Sequence, residues 1–257
     1  MKRLVTSIGC ATLACLAWMP AQAETLYDAF SSPHINTTKW IALPMCQDPN
    51  AYDCVREALL GHLRLAVRGY GGPDTDGGEA VADSGLQFRD PGAIDGIRFR
   101  FVVKSFGNGA CPDAAAPAAH GQLLAQAAFR SSAGEDVTAF LLVERRSDDL
   151  GIPATWLRVV GFLSNGGDPV DLGTVRLGEP AVATLKWDPD HQAVVWRIVR
   201  AITKPHAQEA MSEPFPAPGP ATDPSKSLLV RTFAPNCSTA QGFAAMEALI
   251  DAVWVNP

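Results

Sequence analysis

Past its first 23 residues the chain carries no apolar run long enough to cross a bilayer as a helix. It also lacks an excess of positive charge. Lys and Arg number 21 against 27 Asp and Glu, for a formal net charge of −6. That balance disfavours nucleic acid or an anionic membrane as partner, because both need a basic face. Familiar catalytic signatures are missing too. No G-x-S-x-G elbow is present to carry a hydrolase nucleophile. His34, His62, His120, His191 and His206 show neither H-x-x-x-H nor H-E-x-x-H spacing. Each reads as a surface or loop residue rather than a base or ligand. No C-x-x-C accompanies them, which argues against zinc. Nothing supports a βαβ series, since long amphipathic helices between strands are not found.

What is present begins with an export signal. Lys2 and Arg3 form a basic start, an apolar stretch runs from Leu4 to Met19, and Ala21-Gln22-Ala23 supplies a small-x-small cleavage site. This predicts a signal peptide over 1–23 and a secreted or periplasmic protein over 24–257. Losing Lys2 and Arg3 takes the formal charge from −6 to −8. Cys10 and Cys15 leave with the signal. Cys46, Cys54, Cys111 and Cys237 remain, an even number that reads as two disulfides in an exported chain. Three pairings are open. The short segment "CQDPNAYDC" favours Cys46–Cys54, which leaves Cys111–Cys237.

Short runs rich in Val, Leu, Ile, Phe and Trp alternate with Gly, Pro, Asn and Asp about every ten residues. "HLRLAV" puts Leu63, Leu65 and Val67 on one face. "IDGIRFRFVVKS" sets Ile97, Phe99, Phe101 and Val103 against Arg98, Arg100 and Lys104. Many short strands so spaced predict an all-β sandwich or barrel of antiparallel sheets. One segment is in conflict. "GFAAMEALIDAVWV" carries helix formers from Ala244 to Ile250 and a strand-like end, and the later half is predicted as strand. Residues 205–226 are rich in Pro and Ala. They are expected to form a long loop inserted within one domain, since Pro cannot donate in a sheet interior.

Three stretches carry a family likeness. "LYDAFSSPHINTTKW" is similar to an opening D-x-F, short loop and D-x-x-x-W pattern. "LGEPAVATLKWDPDHQAVVWRI" is similar to two strands joined by a W-x-P turn in laminarinase-type hydrolases. "EALIDAVWVNP" resembles a terminal strand with an inward Asp. Together, in this order, they resemble the concanavalin A-like lectin/glucanase superfamily. The resemblance implies a jelly-roll β-sandwich of two antiparallel sheets. It also implies a structural calcium near the termini, with Asp28 and Asp251 as hard oxygen ligands. From the residues themselves, Phe30 and Trp40 are large apolar side chains flanking a Ser-Ser-Pro turn, so the N-terminal segment is expected to pair beside the C-terminal strand and plug one edge or end of the sandwich.

The resemblance further implies a glycan as partner. Glycan-cleaving members use E-x-D-x-E, whose period of two gathers three carboxylates on one strand face. This chain has no such motif, so no catalytic residue is assigned. A binding groove is expected instead, from planar polar groups and aromatic rings. Its candidates are Gln122 with Gln126, Glu144 with Arg146, Trp156 with Arg158, and Trp196. The reading is a secreted carbohydrate-binding module without catalysis. The alternatives are a glycan hydrolase or polysaccharide lyase with a non-standard site, and a structural envelope module.

Overall fold

The computed structural model describes residues 24–44, 51–59, 61–73, 77–109, 111, 116–200, 207–238 and 240–257, with the backbone alone of Ala51 and Tyr52. The export signal over 1–23 lies outside them. So does Cys46, and with it the expected Cys46–Cys54 bridge.

The described residues form two antiparallel sheets of eight strands each. The first holds β3 (Ala51–Leu59), β4 (His62–Tyr70), β6 (Gly96–Gly109), β11 (Ala181–Asp188), β12 (Ala193–Arg200), β13 (Ala207–Met211) and β16 (Phe243–Val255). Its order is β13-β12-β11-β6-β16-β4-β3, and β1 (Thr25–Asp28) pairs with the end of β16. The second holds β2 (Trp40–Ala42), β5 (Glu79–Phe88), β7 (His120–Ser132), β8 (Glu135–Arg146), β9 (Trp156–Leu163), β10 (Val170–Arg176) and β15 (Lys226–Pro235). Its order is β10-β9-β8-β7-β15-β5-β2, and β14 (Gly219–Pro220) pairs with β7.

The alternation seen in the sequence becomes the two sides of each sheet. Leu63, Leu65 and Val67 of β4 are buried, as are Ile97, Phe99, Phe101 and Val103 of β6. They meet Leu123, Leu141, Val143 and Val159 of the second sheet in one core. Each such side chain contributes roughly 1.5–3 kcal/mol by leaving water. Trp196 shows how tightly the layers meet. Its indole N–H donates to the Phe140 carbonyl of the facing sheet at 2.8 Å. A Cβ at Gly161 would lie 2.7 Å from that indole, so only glycine fits there.

The N-terminal segment closes one end as expected. Thr25 and Leu26 pair with Val255 and Trp254. Phe30 stacks on Trp40 with ring centroids 5.9 Å apart, and Tyr27 and Phe88 pack against the same indole. Asn36 caps the single turn between them. Its side-chain Oδ1 accepts from the Thr38 amide at 2.9 Å, and its carbonyl accepts from the Lys39 and Trp40 amides.

Three expectations are changed. The strand of "GFAAMEALIDAVWV" covers the whole of Phe243–Val255, including the helix formers. Ala244, Met246, Ala248 and Ile250 alternate inward, and β4 and β6 supply backbone partners on both sides. Tertiary pairing outweighs a helix preference of a few tenths of a kcal/mol per residue. The Pro-rich stretch 205–226 contains two short strands, β13 and β14. β13 is free of Pro and sits at a sheet edge, where one side needs no partner. Asp251 faces outward rather than inward, since the inward positions around it are Ile250 and Val253, with an irregularity in register between Ile250 and Ala252. The Cys111–Cys237 disulfide forms, tying the segment after β6 to the segment after β15.

Candidate functional site

The outer face of the second sheet carries the polar groups. Its strands alternate, so every second side chain of β5, β15, β7, β8 and β9 points away from the core. The register then sorts those side chains into rows running across the strands. Asp83 lies opposite Arg231, Arg231 opposite Gln122, Gln122 opposite Glu144, and Glu144 opposite Arg158. This is one continuous line of five planar polar side chains from five neighbouring strands. Arg231 donates to Asp83 at 2.9 Å, and the Gln122 amide donates to Glu144 at 3.0 Å. Arg158 forms an ion pair with Asp149 at 3.6 Å.

The rows on either side are less polar. On one side stand Val81, Phe233, His120 and Arg146. The His120 and Phe233 rings stack with centroids 4.0 Å apart. On the other side Gly85, Leu229, Leu124, Leu142 and Val160 follow, then Gln87, Ser227, Gln126, Phe140 and Phe162. Leu124, Leu142 and Leu229 form a small apolar cluster of their own, with Leu43, Phe140 and Phe162 against it. Phe140 and Phe162 lie nearly parallel, 4.5 Å between centroids. A groove of about 360 Å³ runs beside this face, lined by Leu43, Pro44, Asp83, Gln126, Leu229 and Arg231 among others.

The loop after β8 is held against the site. The Arg145 guanidinium donates to the carbonyls of Asp149, Ile152, Pro153 and Trp156. Asp149 accepts from the Arg146 amide at 3.2 Å. These bonds fix Trp156 at the start of β9, on the same face as Arg158.

Burial sets the electrostatics. Glu144 is pushed above the usual carboxylate range by desolvation, against the opposing pull of its Gln122 hydrogen bond and the charges of Arg146 and Arg158. His120 is pushed below its usual value by burial first and by Arg146 second. Three buried polar atoms on this face have no protein partner: His120 Nδ1, Arg231 Nε and Ser227 Oγ.

Six of the seven residues expected in a groove share this face: Gln122, Gln126, Glu144, Arg146, Trp156 and Arg158. Trp196 is the correction. It is 1% exposed, lies on β12 of the other sheet, and fills the core. Its neighbours Val194 and Ile198 share its inward parity. The sequence reading missed Asp83, Arg231, Phe140, Phe162 and Phe233. It placed His120 at the surface or in a loop, whereas His120 is a strand residue half-buried on the site face.

Asp28 and Asp251 are not brought into one donor set. Asp28 accepts from the Phe30 amide and the Trp40 indole, both at 2.8 Å. Asp251 accepts from Arg100 at 2.7 Å and bonds His62 at 2.6 Å on the outer face of the first sheet. Carboxylates already facing N–H donors, one of them a guanidinium, do not fit a shared calcium ion. Among the described residues no group of three or more His, Cys, Asp or Glu gathers that could hold a metal.

No protein-family model matches this chain, and no curated protein does. Solved structures do resemble it. Lectin UEA-II, complexed with galactose, is 10% identical over 90% of this chain and 99% of its own, with a TM-score of 0.41. Lectin II from Ulex europaeus is 10% identical over 86% of this chain and 99% of its own, with a TM-score of 0.36. The metal-free carbohydrate recognition domain of Emp46p is 13% identical over 83% of this chain and 88% of its own, with a TM-score of 0.38. At these TM-scores the likeness goes no further than a pair of antiparallel sheets.

Proposed function

We propose that the chain is an exported carbohydrate-binding protein whose ligand lies on the outer face of the second sheet. The observation that carries this reading is the row Asp83, Arg231, Gln122, Glu144 and Arg158, in register on five neighbouring strands. A sugar hydroxyl both donates and accepts, and planar amide, carboxylate and guanidinium groups complement it in pairs. The apolar faces of pyranose rings need matching surfaces. Phe140 with Phe162, stacked and partly exposed, supply one. Export rests on the basic start, apolar stretch and Ala-x-Ala of residues 1–23.

Binding is favoured over hydrolysis by how the carboxylates around Glu144 are engaged. Asp149 is close enough to raise it but is held by Arg158 and the Arg146 amide. Asp83 sits three strand intervals away, roughly 14 Å at ordinary strand spacing. Glycosidases hold their two carboxyls within about 9.5 Å. The test is a glycan array followed by calorimetry on the hits. The parent should bind, and Gln122→Ala with Glu144→Ala should abolish binding while the far-UV spectrum and cooperative melt persist. Parent protein that binds nothing on a broad array, or a double variant that binds as well as the parent, would refute the proposal. Reducing ends released from the same glycans would move the assignment to an enzyme.

A further inference from the structure

We infer that the ligand is a neutral glycan several sugars long, lying across the strands rather than along them. This rests on the reading of the face as a carbohydrate site. Charge pairing gives the first part. Each guanidinium of Arg146, Arg158 and Arg231 already shares a carboxylate: Asp148 at 3.0 Å, Asp149 at 3.6 Å and Asp83 at 2.9 Å. Glu144, in the middle of the row, is bonded by a neutral amide. A ligand carboxylate or sulfate arriving here meets no unmatched cation. It must displace a partner or lie beside Asp83 and Glu144, and like charges in a half-buried site are costly. A hydroxyl meets no such conflict. It can accept from the guanidinium or amide and donate to the carboxylate of the same pair.

The row's direction gives the second part. Its members repeat once per strand, at roughly 4.8 Å. That interval is close to the length of one sugar in an extended chain, so successive hydroxyls fall over successive strands. Along a strand, polar and apolar positions alternate instead. Two residues from Gln122 stands the buried Leu124, and two from Glu144 the buried Leu142, so neither strand offers a second polar group there. A chain laid across the strands keeps its hydroxyl edge over the polar row. A chain laid along a strand would not.

The probes are neutral oligosaccharides of one to six sugars from cellulose, laminarin, xylan and mannan, and the uronate oligomers of pectin and alginate. Binding is measured by calorimetry at about 20 mM and about 500 mM NaCl, a range over which screening of exposed charges changes severalfold. At least one neutral series should bind. Its affinity should rise about tenfold or more from one sugar to four and change less than about twofold with salt. Asp83→Ala, at one end of the row, should lower the affinity for four sugars by a larger factor than that for one, cancelling the gain from added sugars. Uronates that bind tighter than every neutral series, with affinity lost at high salt, would overturn the neutral assignment and leave the binding face standing. A length gain that survives Asp83→Ala would overturn the cross-strand orientation. Failure of both neutral and uronate panels would sink this inference and the underlying reading together.

Discussion

Gln122 and Glu144 face each other across the β7–β8 pairing, and the amide nitrogen of one lies 3.0 Å from a carboxylate oxygen of the other. The bond orients a carboxyl that burial holds above its usual range. The folded state therefore keeps the Glu144 proton more firmly than the unfolded chain does. Stability from this group is complete below the ordinary carboxylate value and is lost as pH rises through the raised one. Glu144→Gln removes that loss while keeping an acceptor for Gln122. The variant should be more stable than the parent at neutral pH. The advantage should vanish near pH 4. Urea titrations at both pH values decide it, and a variant less stable at neutral pH would contradict the burial argument.

Trp196 and Trp156 should separate stability from binding. Trp196→Phe loses an indole bond to the Phe140 carbonyl and leaves space beside Gly161. It should cost about 1–3 kcal/mol and leave glycan affinity unchanged. Trp156→Ala sits on the ligand face and should weaken affinity about tenfold with a smaller effect on the melt. Reversal of the two phenotypes would mean the faces are assigned the wrong way round.

Lys226 is a cation inside the molecule, 1% exposed. Its ammonium donates to the carbonyls of Pro91, Ala128 and Pro224 at 2.9–3.1 Å and sits over the Phe129 ring. Lys226→Met orphans three carbonyls and should cost about 2–3 kcal/mol at pH 7. Burial pulls the folded-state value down to about 8. A depressed lysine penalises the folded state fully below that value, and the penalty is relieved as pH rises toward the unfolded value near 10.4. The gap between parent and variant should accordingly widen from about pH 8 to about pH 10. A gap that narrows over that range would show the ammonium to be favoured, not strained, in its site.

Chelation tests the donor sets of Asp28 and Asp251. With N–H groups on both, excess EDTA should leave the Tm of protein prepared with calcium within about 1 °C, because no native-state ligand is removed. Asp251→Asn should lower Tm instead, by weakening the bonds to Arg100 and His62. A drop of several degrees on chelation, restored by calcium, would reinstate the ion.

The strands of this protein are legible where polar and apolar residues alternate strictly, as in β4 and β6. They are hard to read where a strand is apolar on both faces. "AVVWRIVR" is such a case, and Trp196 was assigned to the wrong side of it. The site is legible one strand at a time: Gln122 with Gln126, Glu144 with Arg146, Trp156 with Arg158. Its assembly is not. Asp83 and Arg231 join the row only because β15 inserts between β7 and β5, and register between strands far apart in the chain leaves no local mark on either. Period-two alternation in "SLLVRTF" sets Arg231 opposite in sense to Val230, but nothing there names its neighbour.

The place of β16 bears on how the chain acquires its shape. The last strand lies between β6 and β4, in the middle of the first sheet, and also receives β1. Until it arrives, β3 and β4 form one fragment and β6, β11, β12 and β13 another, each with an unpaired backbone edge and an uncovered apolar side. Closing such long loops is slow, and the waiting fragments are prone to pair with other chains. A nascent chain that stalls before residue 243 is thus a pair of sticky half-sheets, and deleting the final thirteen strand residues should yield aggregates rather than a shortened domain.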